Sequence, residues 1–160
     1  MISGESAIAL KNAEQSGCGN NCIAKRAIDS KFGYVTKSVT SKEESWWKAE
    51  LSEYTLITKI KIYFGRDNLK ALQNFSVETT LSKDGPWRVC KGPYAVELPT
   101  DPHELQCHNV TRAKHVRLFT RGVKGYYALA LEEVIVFGFK NGGENMLFKR
   151  CYSISALKSP

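Results

Sequence analysis

The stretch between Trp46 and Phe64 does most to limit what this chain can fold into. Trp46-Trp47-Lys48-Ala49-Glu50-Leu51 and Thr55-Leu56-Ile57-Thr58-Lys59-Ile60-Lys61-Ile62-Tyr63-Phe64 run close to an apolar/polar alternation. That is the period of a strand with one buried face. In the second run Leu56, Thr58, Ile60 and Ile62 share a face, and the other face turns polar at Lys59 and Lys61. Adjacent strand residues point to opposite sides, so one of Trp46 and Trp47 belongs to a core and the other is partly exposed. Further strands are expected over residues 74–82, 114–120 and 130–139. Clusters of Gly, Pro, Asp and Asn at 83–86 and 98–102 separate them as turns. Helical periodicity nowhere extends beyond one or two turns. The expectation is an all-β sandwich or barrel of about eight strands.

Composition fits a folded chain. Of 160 residues 42% are hydrophobic and 24% charged, which excludes a disordered or collagen-like polymer. No run of apolar residues is long enough for a membrane-spanning helix. The net charge of +7 suits anionic glycans or a membrane surface, and equally suits plain solubility. Part of the excess lies at the end, where Lys140, Lys149, Arg150 and Lys158 face Glu144 alone. The run 140–144 reads as a linker, dividing the chain into a domain over 1–139 and an extension over 140–160.

Cysteines stand at 18, 22, 90, 107 and 151. A zinc site would need two recognisable ligand pairs, and only Cys18 and Cys22 offer one. Disulfides are the better account: Cys90–Cys107 across a loop, and Cys18–Cys22 as a local ring. Cys151 is left over, as a free thiol or a bridge to a second chain. Sequons at Asn74 and Asn109 agree with an extracellular, secreted protein. The opening MISGESAIAL has no signal-peptide pattern, so secretion would imply that Met1 is not the native start.

Catalysis is the least supported class. No nucleophile elbow, positioned triad or metal quartet is present, so the chain is not expected to be an enzyme. Carboxylates adjacent in sequence, as at Glu132 and Glu133, diverge on a strand. Nucleic-acid binding would require basic residues interleaved with stacking aromatics on one face, and the mixed-sign charge of the chain argues against it. His108 and His115 read as packing or surface residues.

The order Ala7–Leu10, Ala27-Ile28-Asp29, Trp46 to Leu51, Ile60 to Tyr63, Asn74-Phe75-Ser76-Val77, Cys90 with Cys107, and Leu131 to Gly138 resembles the F-type lectin (fucolectin) branch of the discoidin-like domains. The resemblance covers residues 7–139. It implies a galactose-binding-like jelly-roll sandwich with ligand loops at one end, binding glycans and often calcium outside the cell. Fold alone does not assign function.

In that family a loop His and two Arg of an Arg-x-Asp-Cys-Cys-x-x-Arg run hold fucose. Here the matching stretch is Gly65-Arg66-Asp67-Asn68-Leu69-Lys70-Ala71-Leu72. The paired cysteines are missing, only Arg66 and Lys70 are cationic, and residues 36–44 contain no His. The fucose triad is thus degenerate. Lys37, Lys42, Arg66 and Lys70 form either a basic rim for a sulfated or sialylated ligand or solvated charges, with Asp67 as turn chemistry. Tyr126 and Tyr127 are candidates to stack on a sugar.

The resemblance places Asp29 and Glu133 at two calcium-ligand positions, flanked by Arg26 and Lys31 where the family carries Asn. Cations cannot ligate calcium. One of the two is therefore expected to replace the metal, making a cofactor unnecessary, unless backbone carbonyls still capture calcium. Three partners remain open: a cell-surface glycan or glycoprotein, a protein in adhesion with the sugar site lost, or an anionic membrane met by Lys31, Phe32, Tyr34 and Lys37.

Overall fold

A computed structural model of the chain describes residues 4–16, 23–32, 36–38, 44–65, 72–97, 100–121 and 129–140. Nine strands follow in order: β1 (Glu5–Ile8), β2 (Leu10–Gln15), β3 (Thr36–Ser38), β4 (Glu44–Tyr63), β5 (Leu72–Thr80), β6 (Arg88–Val96), β7 (His103–Arg121), β8 (Leu129–Leu131) and β9 (Glu133–Lys140). A 3-10 turn, Ala24–Ile28, lies between β2 and β3. This is the expected all-β sandwich.

Its frame is one long antiparallel ribbon, β4 against β7. Glu44 faces Arg121 at one tip and Ile62 faces His103 at the other, with a register shift between Glu50 and Thr55. That shift joins the two expected strands into one and lets the ribbon double over, since extra residues bend and twist a strand. The first half of β4 and the second half of β7 make one layer with β2 and β5, extended by β6. The second half of β4 and the first half of β7 make the other layer with β9 and β1.

The core lies between the layers. Trp47, Ala49 and Leu51 alternate inward from the first, and Ile60 and Ile62 from the second. Each such buried aliphatic side chain stabilises the fold by about 1.5–3 kcal/mol. Leu56 and Ile57 are both buried although adjacent. A second shift, between Ile57 and Lys59, turns Ile57 inward and breaks the alternation expected there. Trp46 is half-buried beside the fully buried Trp47, whose indole Nε1 donates to the Ala24 carbonyl at 3.0 Å.

Three elements depart from expectation. β6 was unforeseen because Gly92-Pro93 sits inside it, and proline rarely occurs in a strand. β6 is the last strand of the sheet among the described residues, and the outer side of an edge strand tolerates one. Gly92 has φ 108°, and a Cβ there would stand 2.5 Å from the Phe75 carbonyl oxygen, so the close approach to β5 requires glycine. The strand expected over 130–139 divides at Glu132, whose N–H donates to the Tyr63 carbonyl at 2.6 Å. β7 begins at His103, well before the expected 114.

Cys90 and Cys107 are disulfide-bonded, as expected. Cys90 belongs to β6 and Cys107 to the first half of β7, so the bond ties the two layers together. Cys18, Cys22, Cys151 and the extension beyond 140 lie outside the described residues.

Candidate functional site

Because the ribbon doubles over at one end of the sandwich, its two tips meet at the other. Tyr63, Leu72, His103, Arg121 and Leu129 bring their strands to that end. They flank segments 39–43, 66–71 and 122–128, to which Lys42, Arg66, Asp67, Lys70, Tyr126 and Tyr127 belong. Those residues lie outside the described residues. Lys37 is placed through its backbone, in β3 opposite Ala130.

Around His103, where β7 begins, lies an aromatic cluster that the sequence did not announce. The Tyr94 hydroxyl and His103 Nε2 share a hydrogen bond of 2.7 Å, and their rings stack. Phe64 and Phe75 pack against the His103 ring, each with centroids 6.3 Å from it. Asp101 Oδ1 accepts the Phe64 N–H at 2.9 Å and pins the strand end. Burial pushes the Tyr94 hydroxyl up to about 12. Burial, with the Lys91 charge second, holds His103 below its ordinary value. The pair is therefore neutral around pH 7, a half-buried group able to exchange hydrogen bonds with a polyol. Tyr94 and His103 come from strands separated by a turn, and only register knowledge would have paired them.

The expected calcium position is a second polar feature. Glu133, first residue of β9, is 4% exposed, and its Oε2 has no hydrogen-bond partner among the described residues. Burial pushes its carboxyl up to about 7, reinforced by the negative charges of Asp29 and Glu132 and opposed by a Ser30 backbone hydrogen bond. Asp29, at the end of the 3-10 turn, accepts the Lys31 N–H at 2.8 Å on Oδ1. The structure thus brings the two expected carboxylates together. Neither Arg26 nor Lys31 forms an ion pair with Asp29 or Glu133 among the described residues, so the expected replacement of metal by a side-chain cation has no direct contact behind it. An orphaned buried oxygen beside a second carboxylate fits a hard cation better, although no cluster of three His, Cys, Asp or Glu side chains occurs among the described residues.

A cavity of about 420 Å³ opens beside Glu133, lined by Ile8, Leu10, Ile28 and Phe32 among others. Phe32 is 55% exposed and meets Tyr63 edge-on at 5.0 Å. Tyr34 lies outside the described residues. Asn74 is exposed on β5, where a glycan could be attached.

Structural comparison places the sandwich in a known architecture. The chain superposes on a chitosan-binding module from a chitosanase/glucanase of Paenibacillus sp. IK-5 with a TM-score of 0.65, at 19% identity over 83% of this chain and 99% of that one. A family 32 carbohydrate-binding module from C. perfringens, solved with galactose, gives 0.69 at 14% identity, covering 83% and 98%. The fold is galactose-binding-like. A fucolectin from striped bass (Morone saxatilis) serum matches with a TM-score of 0.68 at 22% identity, over 86% of this chain and 48% of that one. At the level of sequence, no family model and no curated protein matches. The sandwich fold is thus the one that the resemblance implied.

Proposed function

We propose that this chain is a non-catalytic carbohydrate-binding module that takes its ligand at the loop-bearing end of the sandwich. The observation that carries the reading is the neutral Tyr94–His103 pair on its aromatic support. Aromatic surface with a few converging polar groups is what sugar recognition requires. The structural neighbours named above, which bind chitosan or galactose or are fucolectins, support it.

The finer reading is a secreted recognition protein for cell-surface glycans, with the fucose triad degenerate and the cations of the loops selecting acidic or sulfated sugars. The Cys90–Cys107 bond supports an oxidising compartment. Asp29 and Glu133 would hold calcium, which would supply charge neutralisation between the 3-10 turn and β9. Cys151 would pair two copies and raise avidity. A glycan array in calcium and in chelator tests the reading: selective binding that Arg66→Ala, Lys70→Ala or His103→Ala abolishes is expected. Silence across neutral, fucosylated, sialylated and sulfated glycans would overturn it. Exposure of Lys31 and Phe32 favours a second reading, contact with an anionic membrane, which liposome binding would reveal.

A further inference from the structure

Away from the loop-bearing end, the outer face of the first layer carries a cleft of about 270 Å³. Asn12 and Ala13 of β2, Lys48 and Glu50 of β4, and His115 of β7 line it, with Lys83 and Trp87 rising from the connection between β5 and β6. Its position follows from two irregularities. β2 shifts register against β4 between Lys11 and Glu14, with Asn12 at φ 52°, so Asn12 and Ala13 form a bulge that bends the strand at the wall of the cleft. On the opposite wall Trp87 is fixed rather than loose. The Arg117 guanidinium lies 4.3 Å from its ring centroid and is held in turn by Glu78 at 3.0 Å.

The charges in the cleft are not balanced. Glu50 accepts the Asn12 amide at 2.8 Å and has Lys11 and Lys114 each at 3.8 Å. Glu14 has Lys48 at 3.5 Å. Both carboxylates are therefore answered by cations, and Lys83 remains with no ion pair among the described residues. Four lysines surround two glutamates. The His115 imidazole, on the floor, has no hydrogen bond to a described residue. It is held neutral by burial, with the charges of Lys114, Lys48 and Lys83 working in the same direction against Glu50. A fixed flat ring, an imidazole, a bulged strand and surplus positive charge make a complementary set.

We propose that this cleft is a second glycan site, built for a pyranose that carries a negative charge, with its ring against Trp87 and its charge toward Lys83 and Lys48. His115 and the bulge at Asn12–Ala13 meet the hydroxyls. The site stands on different strands from the loop-bearing end and does not need that end to bind.

The test is an amide and indole NMR titration of the full chain with matched oligosaccharides: uronate, sulfated and neutral. The uronate or the sulfated chain should shift Trp87, His115 and Asn12, and added salt should weaken the effect. Binding by both anionic chains makes charge the feature read, and binding by one identifies its source. Lys83→Glu, on an exposed turn, should weaken binding about tenfold. Trp87→Ala should cost about tenfold as well. Shifts confined to Phe64, Tyr94 and His103 would overturn the cleft while supporting the loop-bearing end. Equal binding of the neutral chain, unchanged affinity in Lys83→Glu, or no shift with any of the three would also overturn it.

Discussion

Glu133 shows how one residue can oppose the fold that contains it. Its carboxyl rises from an ordinary 4.5 to about 7, so the folded state favours the protonated form. Its stabilising contribution is complete below about pH 4.5 and is lost as pH rises through about 7. In chelator, Glu133→Gln should match the wild type near pH 4 and exceed it by about 2 kcal/mol at pH 8. Denaturant melts across that range check this. Equal pH slopes in both proteins would refute it. Added calcium should raise the wild-type midpoint at pH 8 and leave the variant nearly unmoved, since a ligand of the folded state alone must stabilise it. The sequence made Asp29 and Glu133 legible as a pair through resemblance. It could not reveal how far burial raises the Glu133 carboxyl, because burial belongs to the packed molecule.

Individual elements were legible where side chains alternate and were hidden where backbone geometry decides. Trp47, Ala49 and Leu51 declare their face in sequence. The continuity of β4 through the Glu50–Thr55 shift does not show, because a bulge changes register without changing composition. β6 was hidden by Gly92-Pro93, the residues that fit it to the edge of the sheet. This edge strand is secured by Cys90–Cys107, which reaches across to the other layer. Replacing both cysteines with alanine should cost about 3 kcal/mol. The loss should fall first on β6, seen as faster amide exchange at Arg88–Val96 than at the first half of β4. Uniform acceleration would mean that the bond acts on the unfolded chain alone. Gly138 is a comparable constraint in β9, where a Cβ would overlap the Leu56 carbonyl oxygen.

For the molecule as a whole, the doubled ribbon gathers the strand tips at one end and the entry and exit of the domain at the other. Glu5 faces Phe139, and Lys140 faces Thr55 beside the fold of the ribbon. Joining Gly4 to Lys140 through a short Gly/Ser linker, and reopening the chain in the exposed turn before Gly85, should preserve the fold, because neighbouring termini permit circular permutation. A cooperative melt with Cys90 and Cys107 still protected from alkylation is the expected result. A broad transition with both thiols reactive would show that folding depends on the original chain order. The fold class was open to sequence reasoning because it rests on many alternating side chains. The cleft at Trp87 was not, since its walls come from β2, β4, β7 and a turn that only the completed sandwich brings together.

The antiparallel seam between β1 and β9 also determines how the domain answers to force. Its bonds run across the strands, and both outer ends lie on the same side. Tension applied there loads the rungs one at a time, opening at Glu5 and Phe139 before reaching Ile8 and Val136. The domain would yield like a zipper, shedding its first strand at low load while the ribbon behind it still held.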